Sequence, residues 1–167
     1  MGSQRTAEVI DKRVMLDLDL CIECRSCSAA CYYAHTDLPI VQYAELPVGK
    51  LPVICRQCEE AACVAVCPAE AMYRDEQGVA KRSLAMCRGC GSCVQACPFG
   101  VLDPELTRHS PPKCDLCEER LSAGLEPRCV AACPTEALRF AVPREMEQEG
   151  LLVLGARAAG HHPLKRR

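Results

Sequence analysis

Sixteen of the 167 residues are cysteine, and they fall into four groups of four with none left over. The groups are Cys21, Cys24, Cys27 and Cys31; Cys55, Cys58, Cys63 and Cys67; Cys87, Cys90, Cys93 and Cys97; and Cys114, Cys117, Cys129 and Cys133. At about one residue in ten, cysteine chemistry rather than hydrophobic burial decides what such a chain can fold into. With no Trp, four Tyr and two Phe, few large side chains remain to build a core.

Cysteine-dense chains are either disulfide scaffolds or metal binders, and the compartment separates the two. Residues 1 to 13 carry charges without an apolar block ahead of a small-residue cleavage site, and they hold no twin-arginine pair. The expectation is a cytoplasmic chain whose thiols stay reduced and bind metal. No run approaches the roughly 18 apolar residues of a membrane span, since Leu151, Leu152, Val153 and Leu154 soon meet Arg157. The formal charge of −2 excludes the basic balance of a nucleic-acid binder.

Spacing names the metal. The third group reads C-x2-C-x2-C-x3-C followed by Pro98, the pattern in which three thiolates hold one 4Fe-4S cube and the fourth reaches a neighbouring cube. The first group has the same spacing with Tyr32 in place of the proline, and the second widens its middle gap to four residues before Cys67-Pro68. The fourth inserts eleven residues between Cys117 and Cys129 and ends in Cys133-Pro134. Zinc ribbons bring two C-x2-C pairs together across 15 to 20 residues, a separation these tight groups lack, so iron–sulfur is the expected chemistry. Gly89, Gly91, Ser92, Ser26 and Ser28 keep the loops small enough for N–H groups to reach sulfur. Arg25, Arg56 and Arg88 each follow a ligand cysteine, where a cation favours the more negative reduced state of a cube.

Between the groups, Val14, Leu16, Leu18 and Leu20 alternate with more polar neighbours, which predicts a half-buried strand. Residues 72–74 and 79–81 predict a hairpin about the turn Asp75-Glu76-Gln77-Gly78, and residues 138–142 a closing strand. Short helices are expected after Cys27, Cys63, Cys93 and Cys129, where alanines gather. The fold class is therefore α+β, with few short elements and the clusters as core. His35, His109, His161 and His162 stand in no catalytic or metal-binding pattern, and no acid–base pair is evident, so the chain is not expected to be an enzyme by itself.

The order of the four groups, with Lys113-Cys114-Asp115-Leu116-Cys117 leading through Pro127-Arg128-Cys129-Val130 to Cys133-Pro134-Thr135-Glu136, resembles the iron–sulfur subunits of the dimethyl sulfoxide reductase superfamily over roughly residues 12 to 142. Spacing alone leaves a nested and a tandem pairing of the groups open. The resemblance implies the nested one, with two ferredoxin-like modules in pseudo-two-fold relation, one from residues ~12–34 and ~110–142 and the other from ~50–109. Four 4Fe-4S clusters are then held by Cys21, Cys24, Cys27 and Cys133; by Cys31, Cys114, Cys117 and Cys129; by Cys55, Cys58, Cys63 and Cys97; and by Cys67, Cys87, Cys90 and Cys93.

The function that resemblance implies is an electron-transfer subunit between a catalytic subunit and a second redox partner. The catalytic partner expected is a tungsten- or molybdenum-pterin aldehyde oxidoreductase or formate dehydrogenase. The alternatives are a freestanding polyferredoxin, or the electron-carrying subunit of a hydrogenase or carbon monoxide dehydrogenase. Residues 143–167 are read as a frayed terminal tail, with docking on a partner or on a second copy of the chain as the alternative.

Overall fold

The computed structural model describes residues 9–35, 40–46, 49–104 and 113–143. The C-terminal tail with its docking alternative, His109, His161 and His162 lie outside the described residues, apart from the tail's first residue, Pro143. Six short strands and five short helices alternate along the rest: β1 (Arg13–Leu16), α1 (Ser26–His35), β2 (Gln42–Leu46), β3 (Gly49–Val53), α2 (Ala62–Ala65), β4 (Met72–Arg74), β5 (Ala80–Arg82), α3 (Ser92–Ala96), α4 (Glu118–Ser122), α5 (Arg128–Ala131) and β6 (Leu138–Ala141). The molecule is thus a small mixed α and β fold, and its strands form three separate antiparallel pairs, β1 with β6, β2 with β3, and β4 with β5.

The first pair joins the two ends of the described chain. Val14 lies opposite Phe140 and Leu16 opposite Leu138, and Asp17 N–H extends the ladder to the Ala137 carbonyl at 2.8 Å. The predicted alternation of β1 fails in a specific way: Val14, Met15 and Leu16 are all buried, so both faces are covered, while Leu20 is 39% exposed. The chain leaves the strand at Asp17, whose carboxylate accepts the Asp19 N–H at 2.9 Å and turns the backbone toward Cys21. The hairpin of β4 and β5 forms with Tyr73 opposite Lys81. Its turn is held by Asp75, whose Oδ1 accepts the N–H groups of Gln77 and Val79 at 3.0 and 2.8 Å.

Four of the five helices begin just before the third cysteine of a group, at Ser26, Ala62, Ser92 and Arg128. Three of these, α2, α3 and α5, are about one turn long, too short to persist in water on their own. They persist by packing in pairs, α2 on α3 and α5 on α1, and the segments that follow each Cys-Pro pair share one turn. Glu70, Gly100 and Glu136, three residues after Cys67, Cys97 and Cys133, adopt left-handed φ angles of 52, 60 and 55°. Each donates its N–H back to the cysteine carbonyl at 3.2 to 3.3 Å. At Tyr32, where proline is missing, the helix instead runs on to His35 and makes α1 ten residues long.

Two apolar cores result. The larger gathers Val14, Leu16, Leu18, Val41, Leu51, Ile54, Leu116, Val130 and Leu138 around Cys27, Cys31 and Cys129. The smaller consists of Met72, Val101 and Leu102, with Val53, Val64, Val94 and Phe99 packed against it among five cysteines.

Candidate metal centres

All sixteen cysteines carry free thiols. They meet at four cavities, each lined by three cysteines of one group and one of another. Cys21, Cys24, Cys27 and Cys133 line one, with Leu16, Tyr43 and Pro52. Cys31, Cys114, Cys117 and Cys129 line the next, with Val14, Ile40 and Leu116. Cys55, Cys58, Cys63 and Cys97 line the third, with Ala80, Phe99 and Val101, and Cys67, Cys87, Cys90 and Cys93 the fourth. None of these four cavities mixes the first group with the second, or the third with the fourth.

The loops that carry each trio curl because their intervening residues take left-handed backbone. Glu23 and Arg25, Gln57, Gly89 and Gly91, and Leu116 with Cys117 all have φ between 46 and 75°. Only at Gly89 and Gly91 is this conformation free of steric cost; at the others the loop sustains it in side-chain-bearing residues.

Hydrogen bonds reach several sulfurs. Ser26 Oγ and Ser92 Oγ stand 3.4 Å from Cys24 Sγ and Cys90 Sγ, and Tyr43 Oη stands 3.3 Å from Cys27 Sγ. Leu138 N–H donates to Cys133 Sγ at 3.4 Å, and Gly89 N–H to Cys87 Sγ at 3.5 Å. The cations next to ligand cysteines line the cavities and also cover aromatic rings: the Arg25 guanidinium lies over the Tyr43 ring at 5.4 Å and that of Arg56 over Phe99 at 3.7 Å. The cations that donate to sulfur are Arg82, at 3.0 Å from Cys87 Sγ, and Lys113, at 3.3 Å from Cys55 Sγ. One signal could have found Lys113. The residue before the first cysteine of each group is Leu20, Ile54, Met86 and Lys113, so a lysine stands where the other three repeats are apolar.

Burial governs the thiols. It pushes Cys63 up to about 11 and Cys129 up to about 12, and holds Cys114 well above the ordinary range, with the facing Cys55 thiolate adding to the effect. The exposed Cys24 and Cys90 move the other way, lowered by Ser26 and Ser92. The exposed corners therefore ionise first, and the buried thiols give up their protons when a metal takes their place.

His35, which stands in no metal-binding pattern in the sequence, lies beside the second cavity, its ring nitrogen grouped with Asp115 and Cys117 within 4.8 Å. Cys117 is already one of a cysteine quartet, and the Asp115 carboxylate accepts the Cys117 N–H at 2.8 Å. As a donor set, four soft thiols in a largely apolar cavity suit an iron–sulfur cube or a zinc ion, and exclude the oxygen-seeking cations.

Comparison with known proteins separates the two metals. Residues 48–143 match the family model of the 4Fe-4S dicluster domain, and residues 18–34 that of a 4Fe-4S binding domain. The B subunit of polysulfide reductase from Wolinella succinogenes is 37% identical over 139 residues, covering 74% of this chain and 72% of that protein. The thiosulfate reductase electron transfer subunit PhsB of Salmonella typhi is 40% identical over 145 residues, covering 76% and 74%. The electron transport protein HydN of Escherichia coli K12 is 32% identical over 166 residues, covering 83% and 93%. The chain belongs to this family of 4Fe-4S electron-transfer subunits. Among the described residues no helix is long and apolar enough to cross a membrane.

Proposed function

We propose that this member of the 4Fe-4S dicluster family holds four 4Fe-4S clusters and relays single electrons between a catalytic subunit and a second redox partner in the cytoplasm. The observation that carries the reading is the gathering of the sixteen free cysteines at four cavities, three from one group and one from another at each. The ligand sets are those four quartets. Groups one and four then form one module, from residues ~12–34 and ~110–142, and groups two and three a second, from ~50–109, in pseudo-two-fold relation.

A bound 4Fe-4S cube supplies one-electron transfer without making or breaking a bond to the protein. The chain's residues do the rest. Leu16, Leu116, Val101 and Leu102 line or flank the cavities and keep water out. Cys31 sits on α1, among the first group, and faces Cys114, Cys117 and Cys129 of the fourth, while Cys97 faces the second group. Such crossed cysteines bring the members of each pair close. Cys24 and Cys90, the exposed thiols, set the outer ends of the path, where partners approach. Loading turns a chain of formal charge −2 into one of about −10, so basic patches are expected on its partners.

The catalytic partner proposed is a tungsten- or molybdenum-pterin subunit of the aldehyde oxidoreductase or formate dehydrogenase type, with the segment after Pro143 as a docking element. A second reading, reduction of polysulfide or thiosulfate, is favoured by the names of two relatives.

The test is an elemental census of the complex purified without oxygen from its own host. About 16 iron atoms per chain, with stoichiometric tungsten or molybdenum, are expected. Zinc in place of iron would overturn the assignment, and iron alone would indicate a freestanding carrier. Aldehyde, formate, thiosulfate and polysulfide, offered in turn with a viologen dye, then select the substrate. For the ligand sets, Cys97→Ser is expected to alter the same electron paramagnetic resonance signal as Cys58→Ser, and a different one from Cys90→Ser.

A further inference from the structure

Lys113 is 5% exposed, which is unusual for a lysine. Its ammonium has three N–H groups, and each has an acceptor: Cys55 Sγ at 3.3 Å, the Cys114 carbonyl at 3.2 Å and the Ala80 carbonyl. Among the described residues it makes no ion pair with a carboxylate. Gln57, 1% exposed, ties the same two positions together, donating to the Cys114 carbonyl at 2.8 Å and accepting the Ala80 N–H at 2.8 Å. A buried lysine and a buried glutamine thus bridge the loop of the fourth cysteine group and the loop of the second.

A charge taken out of water needs a countercharge close by. The sulfurs that face Lys113 are those of Cys55, Cys114 and Cys63, which become anionic on ligating metal. Cys55 and Cys63 line one cavity and Cys114 another, so the ammonium is shared between two cysteine quartets that have no cysteine in common. Adding one electron to a cube makes it more negative by one charge, with no bond or proton exchanged. A fixed cation at hydrogen-bond distance, screened from solvent, favours that state more than the solvated surface charges do.

We propose that Lys113 is a permanent positive charge at the junction of the two cysteine pairs, raising together the reduction potentials of the cubes held by Cys55, Cys58, Cys63 and Cys97 and by Cys31, Cys114, Cys117 and Cys129. The Arg82 guanidinium, 3.0 Å from Cys87 Sγ, acts in the same sense on the cube held by Cys67, Cys87, Cys90 and Cys93, so the cube held by Cys21, Cys24, Cys27 and Cys133, beside the neutral Tyr43, stands lowest. This rests on the four-cluster reading above and adds to it an ordering of the clusters.

The experiment is a potentiometric titration of the full-length, iron-loaded protein with dithionite as electron donor, followed by electron paramagnetic resonance, on wild type, Lys113→Met, Lys113→Arg and Lys50→Met. In Lys113→Met two of four one-electron transitions are expected to become at least tenfold harder to reduce, a shift of 59 mV each. The other two stay in place, and Lys113→Arg, which keeps the charge, recovers most of the shift. Lys50, exposed and paired with Glu45, is expected to move none. Four unmoved transitions in Lys113→Met, four equal shifts, or no recovery with arginine would overturn the proposal.

Should Lys113→Met lose its iron, the wild-type protein still decides. The lowest of the four potentials must be the one altered in Cys24→Ser. A change confined to any of the three higher potentials refutes the ordering. A wild type without iron or without these signals would instead defeat the four-cluster reading itself.

Discussion

The two sides of this molecule are held together by different forces. Around β1, β6, α1 and α5, the cysteines sit against a continuous apolar core that includes Leu16, Leu116, Val130 and Leu138, each at or below 7% exposure. Around β4, β5, α2 and α3, the apolar core shrinks to Met72, Val101 and Leu102, and most of what surrounds it is cysteine. Polar ties make up part of the deficit. Lys81 links Asp75 in the hairpin turn to Glu118 on α4, at 2.7 and 2.6 Å, and the Arg74 guanidinium reaches the carbonyls of Cys58, Glu59 and Gly78. One side can therefore be shaped by hydrophobic burial before metal arrives, whereas the other needs its ligands joined through metal to have a core at all. The same division shows at the sulfurs, where Lys113 and Arg82 donate to the second and third cysteine groups and the neutral Tyr43 stands by the first.

Removing the metal should expose the contrast most strongly. After anaerobic stripping of iron by a chelator, hydrogen exchange is expected to become unprotected throughout residues 55–102, while the amides of β1 and β6 keep measurable protection. Simultaneous loss on both sides, in one step, would show that the larger apolar core cannot stand alone and that the two sides fold as one unit.

A smaller effect separates the sides within the loaded protein. Leu16→Ala removes a side chain 1% exposed from the larger core and is expected to cost about 2–5 kcal/mol. Leu102→Ala, in the smaller core, should fall at the low end of that range or below it, because cysteine ligation rather than apolar packing fixes its surroundings. Urea unfolding of the holo proteins under argon measures both, and equal losses would remove the distinction.

How much of this was legible beforehand follows from how local each determinant is. The hairpin at Met72–Arg82, the strand at Leu138 and the helices at the third cysteines are set by neighbours within a few residues, and they formed where expected. The pair β2 and β3 was not anticipated, since Pro52 argues against a strand. In a two-stranded ribbon every strand has a free edge, so a missing N–H there breaks no ladder. The helix α4 lies in the eleven-residue insertion of the fourth group and was also unforeseen. Sequence adjacency correctly puts Arg25 and Arg56 at cysteine cavities, where they also lie over aromatic rings, but it is blind to cations brought from afar. Lys113 reaches Cys55 across 58 positions, a contact that only the assembled fold provides.

The smallest test concerns the polar ties that the second side depends on. Burial alone would raise the Asp75 carboxyl, yet the Lys81 ammonium and the N–H groups of Val79 and Gln77 outweigh it and hold the group below the usual carboxylate range. A carboxylate with a depressed folded-state pKa contributes stability that is fully present above its unfolded value, near pH 3.9, and lost as pH falls through the folded one. Asp75→Asn should therefore destabilise the hairpin by about 1 kcal/mol at pH 7, read as faster exchange of the Gly78 and Val79 amides. From pH 5 to pH 8 the gap between wild type and variant should stay constant, because Asp75 is ionised throughout. A gap that closes between pH 7 and pH 5 would mean the carboxylate is not held by Lys81, and that this side relies on its cysteines more completely than its ion pairs suggest.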